Sequence, residues 1–451
     1  MAARPFSEAV VLGGGMAGLV TARVLSDVFE RVTILEKDVI PSDPDFRAGI
    51  PQGRHFHALL PGGLLALSRL LPALTRELQA AGSLLPAPHE FYFFGPEGKS
   101  FALGTHMPEP PPDPGMRLVY VQSRPLLEHT VRSQVLALEN VEMRAGAKVV
   151  DLRTDGKRVV GVRLEGGGED VAAELVIDAS GRASRTPSWL ETLGFAAPDE
   201  DVVECDFAYT SVFMKPRDPD AFRDVGFFVR SDPDGPIPSR GGALVRMEGG
   251  LWLASCGGRY GDFPPRDMDG LLEFARSIPQ GPLFELIREA DPVAEPAHYR
   301  FKRGVRRRFE RLDAFPEGLL PIGDAICHYN PVYGQGMSAA CRQATALSRV
   351  LEDAAGRESL DGLWRAFLPQ AYQETRSPWL FASEADFLDP RCTGDFPEDE
   401  RDSLKLLQLV RKLATQGDTD ALRTLMMLSS LMIGLEALHE APWPERLASR
   451  R

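Results

Sequence analysis

Several things are scarce in this chain of 451 residues, and each scarcity closes off a class of protein. No apolar run is long enough to cross a bilayer as a helix. Positive charge is short: 51 Lys and Arg against 64 Asp and Glu leave a formal net charge of −13. That balance argues against nucleic acid or an anionic membrane surface as the main partner. Cysteine is sparse, and Cys205, Cys256, Cys327, Cys341 and Cys392 are far apart. Without a CxxC pair or Cys/His cluster, neither a metal site nor a redox disulfide is expected, and a reduced, cytoplasmic interior fits. The first strand-like run begins within ten residues of Met1, so no signal peptide is expected. No internal repeat is present. What remains is an ordinary globular composition, 43% apolar, in a chain long enough for two or three domains.

The stretch that organises the chain is Val10-Val11-Leu12-Gly13-Gly14-Gly15-Met16-Ala17-Gly18. An apolar strand runs into Gly13-x-Gly15-x-x-Gly18, a helical pattern follows, and a second strand, Val32 to Leu35, ends in Glu36. Strand, glycine turn, helix, strand and acid in that order are the context in which the fingerprint means dinucleotide binding. Gly13 permits the tight turn, Gly15 lets backbone approach a pyrophosphate, and Gly18 lets helix and strand pack closely. The pyrophosphate sits on the free N–H groups and positive end of the helix, and Glu36 is placed to accept from the ribose hydroxyls. A second such fingerprint is missing.

Further on, Lys37 to Pro61 is irregular and holds Arg47, Gln52, Arg54, His55 and His57; loops of this length are usually functional. Leu64 to Ala81 reads as one amphipathic helix. Phe91 to Phe94 and Ser100 to Leu103 read as a hairpin turning at 95–98, and Glu109 to Gly115 as an exposed loop or lid edge. Val119 to Val121 reads as a short strand, and Ser123 to Leu138 as a helix capped by Ser123 with Pro125 in its first turn. There Arg124 opposes the helix dipole unless an anion answers it. Val141 to Arg144 resumes a strand, and Lys148 to Ile177 forms a small antiparallel meander ending in Asp178 to Arg185. Asp199 to Ala297 is a separate sheet domain with one helix around Met268 to Ile278. The Arg306-Arg307-Arg308 run is expected at a solvated or salt-bridged strand edge. Leu319 to Ala325 is an apolar strand running into Gly323-Asp324; Pro331 to Met337 and a helix over Ser338 to Ala355 follow, and the remainder is mostly helical. His55 and His57, two apart, point to opposite sides if extended.

Four stretches in this order resemble a known family. Gly13-x-Gly15-x-x-Gly18 with Glu36, the helix bearing Arg124, Val176-Ile-Asp178-Ala-Ser-Gly181-Arg, and Gly323-Asp324…Pro331…Gly334-x-Gly336 look like the flavoprotein monooxygenases of the para-hydroxybenzoate hydroxylase superfamily. The resemblance covers roughly the first 350 residues. Arg47 to His57, Ser123 to Leu127 and Val176 to Arg185 are closer still to polyene epoxidases of polyether pathways, the monensin and lasalocid type. The superfamily's usual Asp-Gly pair is Asp178-Ala179 here, a form shared with reductase and halogenase relatives.

The resemblance implies an α/β fold: a Rossmann-type FAD-binding domain (1–85, 118–198 and 301–355) interrupted by a β-sheet substrate domain (86–117 and 199–300), with a C-terminal helical region (356–451). It implies FAD held by Gly13, Gly15, Gly18, Glu36, Arg47, Gln52, Arg54, Arg124, Asp178, Asp324, Pro331, Gly334, Gly336 and Met337. Asp324 would bond the ribityl chain, Arg124 the pyrophosphate, and the N–H groups near Gly336 and Met337 the pyrimidine edge. His57, Phe91, Phe93, Tyr209 and Phe213 are candidates to line an apolar substrate pocket. The implied reaction inserts one oxygen atom from O₂ through a flavin C4a-hydroperoxide, epoxidising an alkene of a lipophilic polyketide or terpenoid-type secondary metabolite. Aromatic hydroxylation, halogenation and alkene reduction are the alternatives in the same superfamily. Electrons come from NAD(P)H directly or from a separate flavin reductase, and no dedicated acid or base is assigned.

Overall fold

The computed structural model describes residues 4–87, 89–95, 98–102, 117–166, 170–231, 238–354, 356, 359–394 and 396–449. One sheet has five strands in the order Leu319–Pro321, Leu175–Asp178, Phe6–Leu12, Phe29–Glu36, Val141–Ala145, all parallel. Val10, Val11, Val176 and Ile177 are buried, as a sheet covered on both faces requires. The Met16–Leu25 helix lies on it beside the long Gly336–Ala354 helix. The order reverses at Phe6–Leu12, whose next strand in sequence lies on one side and Leu175–Asp178 on the other. Ligand crevices of open α/β sheets form at such a switch point, beyond the carboxyl ends of the strands. Leu12, Asp178 and Pro321 are in register there.

A second, ten-stranded sheet is centred on the long strand Glu200–Pro216, paired with Ala297–Arg307 on one side and Trp252–Arg259 on the other. Its pairings are antiparallel except for Gly226–Val229 against Phe91–Gly95. Because side chains alternate along a strand, Val212 and Met214 pack beneath the Met268–Arg276 and Leu283–Arg288 helices with Phe227 and Trp252. Phe213 faces the other way, with Phe91, Val245 and Leu253. Ala297–Arg307 stays in this sheet along its whole length.

The C-terminal region is helical: Leu363–Asp386, Arg401–Thr415, Thr419–Ser429 and Trp443–Ala448. Leu406, Leu407, Val410, Leu413 and Leu428 share one apolar cluster there. No helix among the described residues is long and apolar enough to cross a membrane. The five cysteines are buried and unpaired.

Several local expectations need correction. The helix expected over 64–81 is two, Pro61–Leu70 and Leu74–Ala80. Pro72 forces the break: it lacks an N–H and pushes Leu71 out of helical geometry, to φ −129° and ψ 80°. Leu175–Asp178 leaves the meander and joins the parallel sheet, so the small sheet keeps only Val149–Asp155, Arg158–Leu164 and Val171–Ala172. Val121 makes a single bridge to Leu84 in place of a strand. A second short helix, Leu283–Arg288, accompanies the expected one. Of the two readings of the Arg306 run the salt-bridged one holds and the solvated edge does not: Arg306 is fully buried, with Asp201 at 2.8 Å and Glu400 at 3.0 Å. The loop expected at Glu109 to Gly115, and the middle of the 95–98 turn, lie outside the described residues.

Candidate functional site

The glycine turn closes the carboxyl end of the Phe6–Leu12 strand. Gly13 has φ +102°, and a Cβ on it would lie 2.7 Å from the Ala179 carbonyl oxygen, so a side chain is excluded twice over. A Cβ on Gly18 would lie 1.8 Å from the Gly13 carbonyl oxygen. At Gly15 the situation reverses: only Ile50 Cδ1 comes near, at 3.9 Å. Gly15 caps the Met16–Leu25 helix with no side-chain cap and no acid in the first turn. The positive helix end therefore faces open space, the arrangement that receives an anion.

Around this turn lies a web of buried charge. Glu36 Oε2 accepts from the Gly14 N–H at 2.8 Å and pairs with Arg47 at 3.0 Å, while Oε1 accepts from the Asp38 N–H at 3.0 Å. Arg47 reaches on to Asp38 (3.1 Å), the Gly14 carbonyl (3.1 Å) and Glu128 (2.9 Å). Glu128 also holds Arg124 at 2.8 Å and lies 3.7 Å from Arg132. Burial raises the Glu128 carboxyl, but Arg124 and Arg47 outweigh it and hold it below its ordinary range. Thus the cation at the start of the Arg124–Leu136 helix is answered from within the helix. The sequence reading missed Glu128, although its i,i+4 spacing from Arg124 is a legible pairing signal. Gln52 contributes its carbonyl oxygen to the His55 N–H at 3.1 Å. Arg54 lies over the Phe46 ring at 4.7 Å.

The opposite wall comes from later in the chain. Asp178 is fully buried and spends its acceptors locally, on the Ser180 N–H and hydroxyl, the Ser184 hydroxyl (2.6 Å) and the Thr186 hydroxyl (2.6 Å). It fastens the turn after its strand, with no acceptor left over for a ligand. Asp324 is different. Its turn abuts the first helix, since a Cβ on Gly323 would meet Ala17 Cβ at 2.8 Å. Among the described residues its carboxylate has no hydrogen-bond partner. It is enclosed by protein yet still touched by solvent; burial raises its pKa, and Arg182 and Arg124 oppose the rise.

Pro331–Tyr333 forms a turn closed by Gly334 in the left-handed region, φ +67°. The long helix then starts at Gly336, where a Cβ would lie 3.7 Å from Asp324 Oδ1. Gln335 is 1% exposed, and both polar atoms of its amide lack a partner. Met337 touches the Arg124 guanidinium through its sulfur, joining the two walls.

The pocket candidates Phe91, Phe93, Tyr209 and Phe213 all lie on one face of the ten-stranded sheet. They are not an open surface. Phe46 packs tilted against Phe213 at 5.5 Å, and Phe56 stacks on Phe91 at 6.4 Å and stands edge-on to Phe228 at 5.2 Å. Phe93 also meets Phe228, at 5.4 Å. Within this aromatic face sits one polar line, which the sequence reading did not find. His55 Nδ1 lies 2.9 Å from Ser211 Oγ, which lies 2.7 Å from Ser255 Oγ. The His55 ring stands edge-on to Tyr209 at 4.5 Å. Burial pushes His55 down to about 3, so it is neutral across the physiological range. His57 turns the other way: its Nδ1 bonds the His55 carbonyl at 3.0 Å, and burial, then Arg124, push it down to about 4. Among the described residues, no three His, Cys, Asp or Glu side chains gather as a metal site.

A parallel sheet with a glycine turn at its switch point, joined to a large antiparallel sheet and a helical C-terminal region, is the architecture of flavin-dependent oxygenases and halogenases. A triple mutant of the flavin-dependent brominase Bmp2 superposes with a TM-score of 0.63 at 15% identity, over 98% of this chain and 97% of that one. A flavoprotein/dehydrogenase from Cytophaga hutchinsonii gives 0.63 at 15% identity, over 94% and 92%. For 2-methyl-3-hydroxypyridine-5-carboxylic acid oxygenase in its tetrameric form the values are 0.59 and 18%, over 86% and 92%. At these identities the likeness is one of fold. No protein-family model matches the chain. Protein Rv3254 of Mycobacterium tuberculosis is 33% identical over 402 residues, spanning 87% of this chain and 82% of that protein. The chain belongs to the same family as that mycobacterial protein.

Proposed function

We propose that the chain binds FAD non-covalently in the switch-point crevice and is a monooxygenase that epoxidises an alkene of a largely apolar small molecule. One observation carries the cofactor reading: an uncapped helix start at Gly15 and an unpartnered carboxylate at Asp324 flank the same strand ends. Free N–H donors suit a pyrophosphate, and a free acceptor suits a polyol chain. The orphaned amide of Gln335 beside the second helix start is a further unmet demand for polar partners.

In this reading Gly13, Gly15 and Gly18 give the pyrophosphate close access to backbone, with Arg124 and Arg47 behind it. Glu36 accepts from the adenosine ribose and Asp324 from the ribityl hydroxyls. The start of the Gly336–Ala354 helix supplies donors and dipole where negative charge develops on the reduced ring. When bound and reduced, FAD supplies the activation of O₂ from which one oxygen atom is transferred. The aromatic face of Phe91, Phe93, Tyr209 and Phe213, with Phe46 and Phe56 packed on it, excludes water and forms the apolar wall beside which the substrate lies. The line from His55 Nδ1 through Ser211 Oγ to Ser255 Oγ holds a proton in an otherwise apolar face. The parallel-sheet region is the cofactor half, and the ten-stranded sheet the substrate half. NAD(P)H or a partner reductase supplies the electrons.

Heat denaturation of purified protein should release a yellow supernatant that runs as FAD. Incubation with ¹⁸O₂, a reductant and a polyene or prenylated candidate should place one labelled oxygen across a former double bond. Label found only as a ring hydroxyl, a bromide-dependent halogenated product, or alkene reduction without oxygen uptake would each overturn the epoxidase reading.

A further inference from the structure

The turn that leads into the second helix start is held from an unexpected direction. Asp386, the last residue of the Leu363–Asp386 helix, is 2% exposed and lies in the C-terminal region. It accepts from Asn330 Nδ2 at 2.9 and 3.2 Å, from the Tyr333 hydroxyl at 2.8 Å, and from Arg259 at 2.9 Å. Asn330 and Tyr333 bracket the Pro331–Tyr333 turn. The amide of Asn330 is used at both ends, its oxygen accepting from the Val332 N–H at 3.2 Å. The Tyr333 ring stands edge-on to Phe381, on the same helix as Asp386. One carboxylate thus gathers both shoulders of the turn and a cation from the ten-stranded sheet. Gly334 and Gly336 follow directly, so the placing of the second helix's N–H groups depends on this grip.

We propose that Asp386 is a positioning residue for the flavin: it fixes the Asn330–Gly334 turn and, through it, the donors at Gly336 and Met337. The proposal rests on the FAD reading above and adds a role for the C-terminal helices beyond packing. Asn330, Tyr333 and Arg259 all donate to one oxygen, Oδ1, so an amide at position 386 offers two lone pairs to three donors, loses the charge that answers Arg259 and turns its own N–H₂ toward the Asn330 amide. With the turn released, the donors that favour the negative reduced ring drift from it.

The test uses the full-length holoenzyme and three variants. Asp386→Asn removes the charge of the hub and one of its two acceptor oxygens. Tyr333→Phe deletes the 2.8 Å bond to Asp386 and a long 3.5 Å one from Arg259, and leaves no buried charge unpaired because Arg259 still meets Asp386, so it serves if Asp386→Asn does not fold. Asp399→Asn disturbs the neighbouring contacts to Arg308 and Tyr372 without touching the turn. Expected are a rise in the FAD Kd on the order of tenfold for Asp386→Asn, the scale on which partners behind a ligating residue act, and a smaller rise for Tyr333→Phe. Both should shift the bound flavin's visible spectrum and make its midpoint potential more negative, while Asp399→Asn moves neither. Folded Asp386→Asn and Tyr333→Phe proteins with wild-type Kd and potential would overturn the positioning role alone. Wild-type protein that binds no FAD would overturn the cofactor reading, and this inference with it.

Discussion

Arg124 and Glu128, one helical turn apart, form a buried 2.8 Å ion pair at the edge of the glycine turn. The same carboxylate holds Arg47 from a segment 81 residues earlier, so it ties the irregular 37–61 stretch to the helix wall. Both partners are desolvated, and the pair is worth most when one member is removed.

Glu128→Gln should therefore cost about 3 kcal/mol of stability, since it strips a buried counter-charge from Arg124 and Arg47. The uncovered Arg124 is then free to meet an added anion. Thermal unfolding with and without FAD should show a larger cofactor-induced rise in Tm for the variant than for wild type. Equal rises would place Arg124 away from the pyrophosphate.

The middle and last glycines of the fingerprint should fail in opposite ways. Gly15→Val meets only Ile50 Cδ1, so the fold and its circular-dichroism spectrum should survive while flavin occupancy is lost. Gly18→Ala puts a methyl into the Gly13 carbonyl, and overpacking of that kind costs about 1–3 kcal/mol. Denaturant titration and flavin absorbance on the same preparations separate the two effects. Full flavin occupancy in Gly15→Val would remove that residue from the site.

Asp324→Asn should stabilise the apoprotein while weakening the cofactor complex. The Asp324 pKa is raised in the folded state, chiefly by burial. Its ionised form therefore costs stability above the folded pKa, and that cost disappears as pH falls below the unfolded value. The variant's gain in Tm should be largest near pH 7 and shrink in acid. A gain that is independent of pH would mean the carboxylate is not the cause.

His55 works in the other direction. Its folded pKa lies near 3 against an ordinary 6.5, so the unfolded chain takes up a proton that the folded chain refuses between those values. Stability is fully present above about pH 6.5 and falls on acidification by about 1.4 kcal/mol per pH unit for such a group. By pH 5, His55→Gln should recover roughly 2 kcal/mol of the acid loss relative to the same comparison at pH 7. Urea unfolding at the two pH values measures it, and an unchanged difference would show that His55 is not buried as neutral imidazole.

What the sequence made legible were features whose cause is local. Gly13, Gly15 and Gly18 are dictated by a turn spanning six residues, and Ser123 caps its helix through the Leu126 N–H as its position predicts. Gly323-Asp324 follows a short apolar strand, Leu319–Pro321, which is buried although it lies at the end of the parallel sheet. Long-range partners were hidden. Nothing near Arg306 announces Glu400, 94 positions away, and the alternation around it suits an exposed edge equally well. Asp178 looked available because its three hydroxyl-bearing neighbours reveal their purpose only when the turn is closed. Phe46 and Phe56 sit in a segment without periodicity, so their packing onto the aromatic sheet face had no signature.

The buried cysteines bear on how long such a protein lasts beside oxygen. Burial lifts Cys392 to about 11 and Cys256 and Cys341 to about 12, and Cys205 and Cys327 higher still. Thiolate is the form that attacks peroxide, and at neutral pH about one Cys392 side chain in ten thousand carries it. Stray peroxide, whether made in the crevice or met in the cell, finds almost no nucleophilic sulfur on this chain. Its first oxidative lesion should fall on methionine, and Met337, partly buried against Arg124, stands at the site.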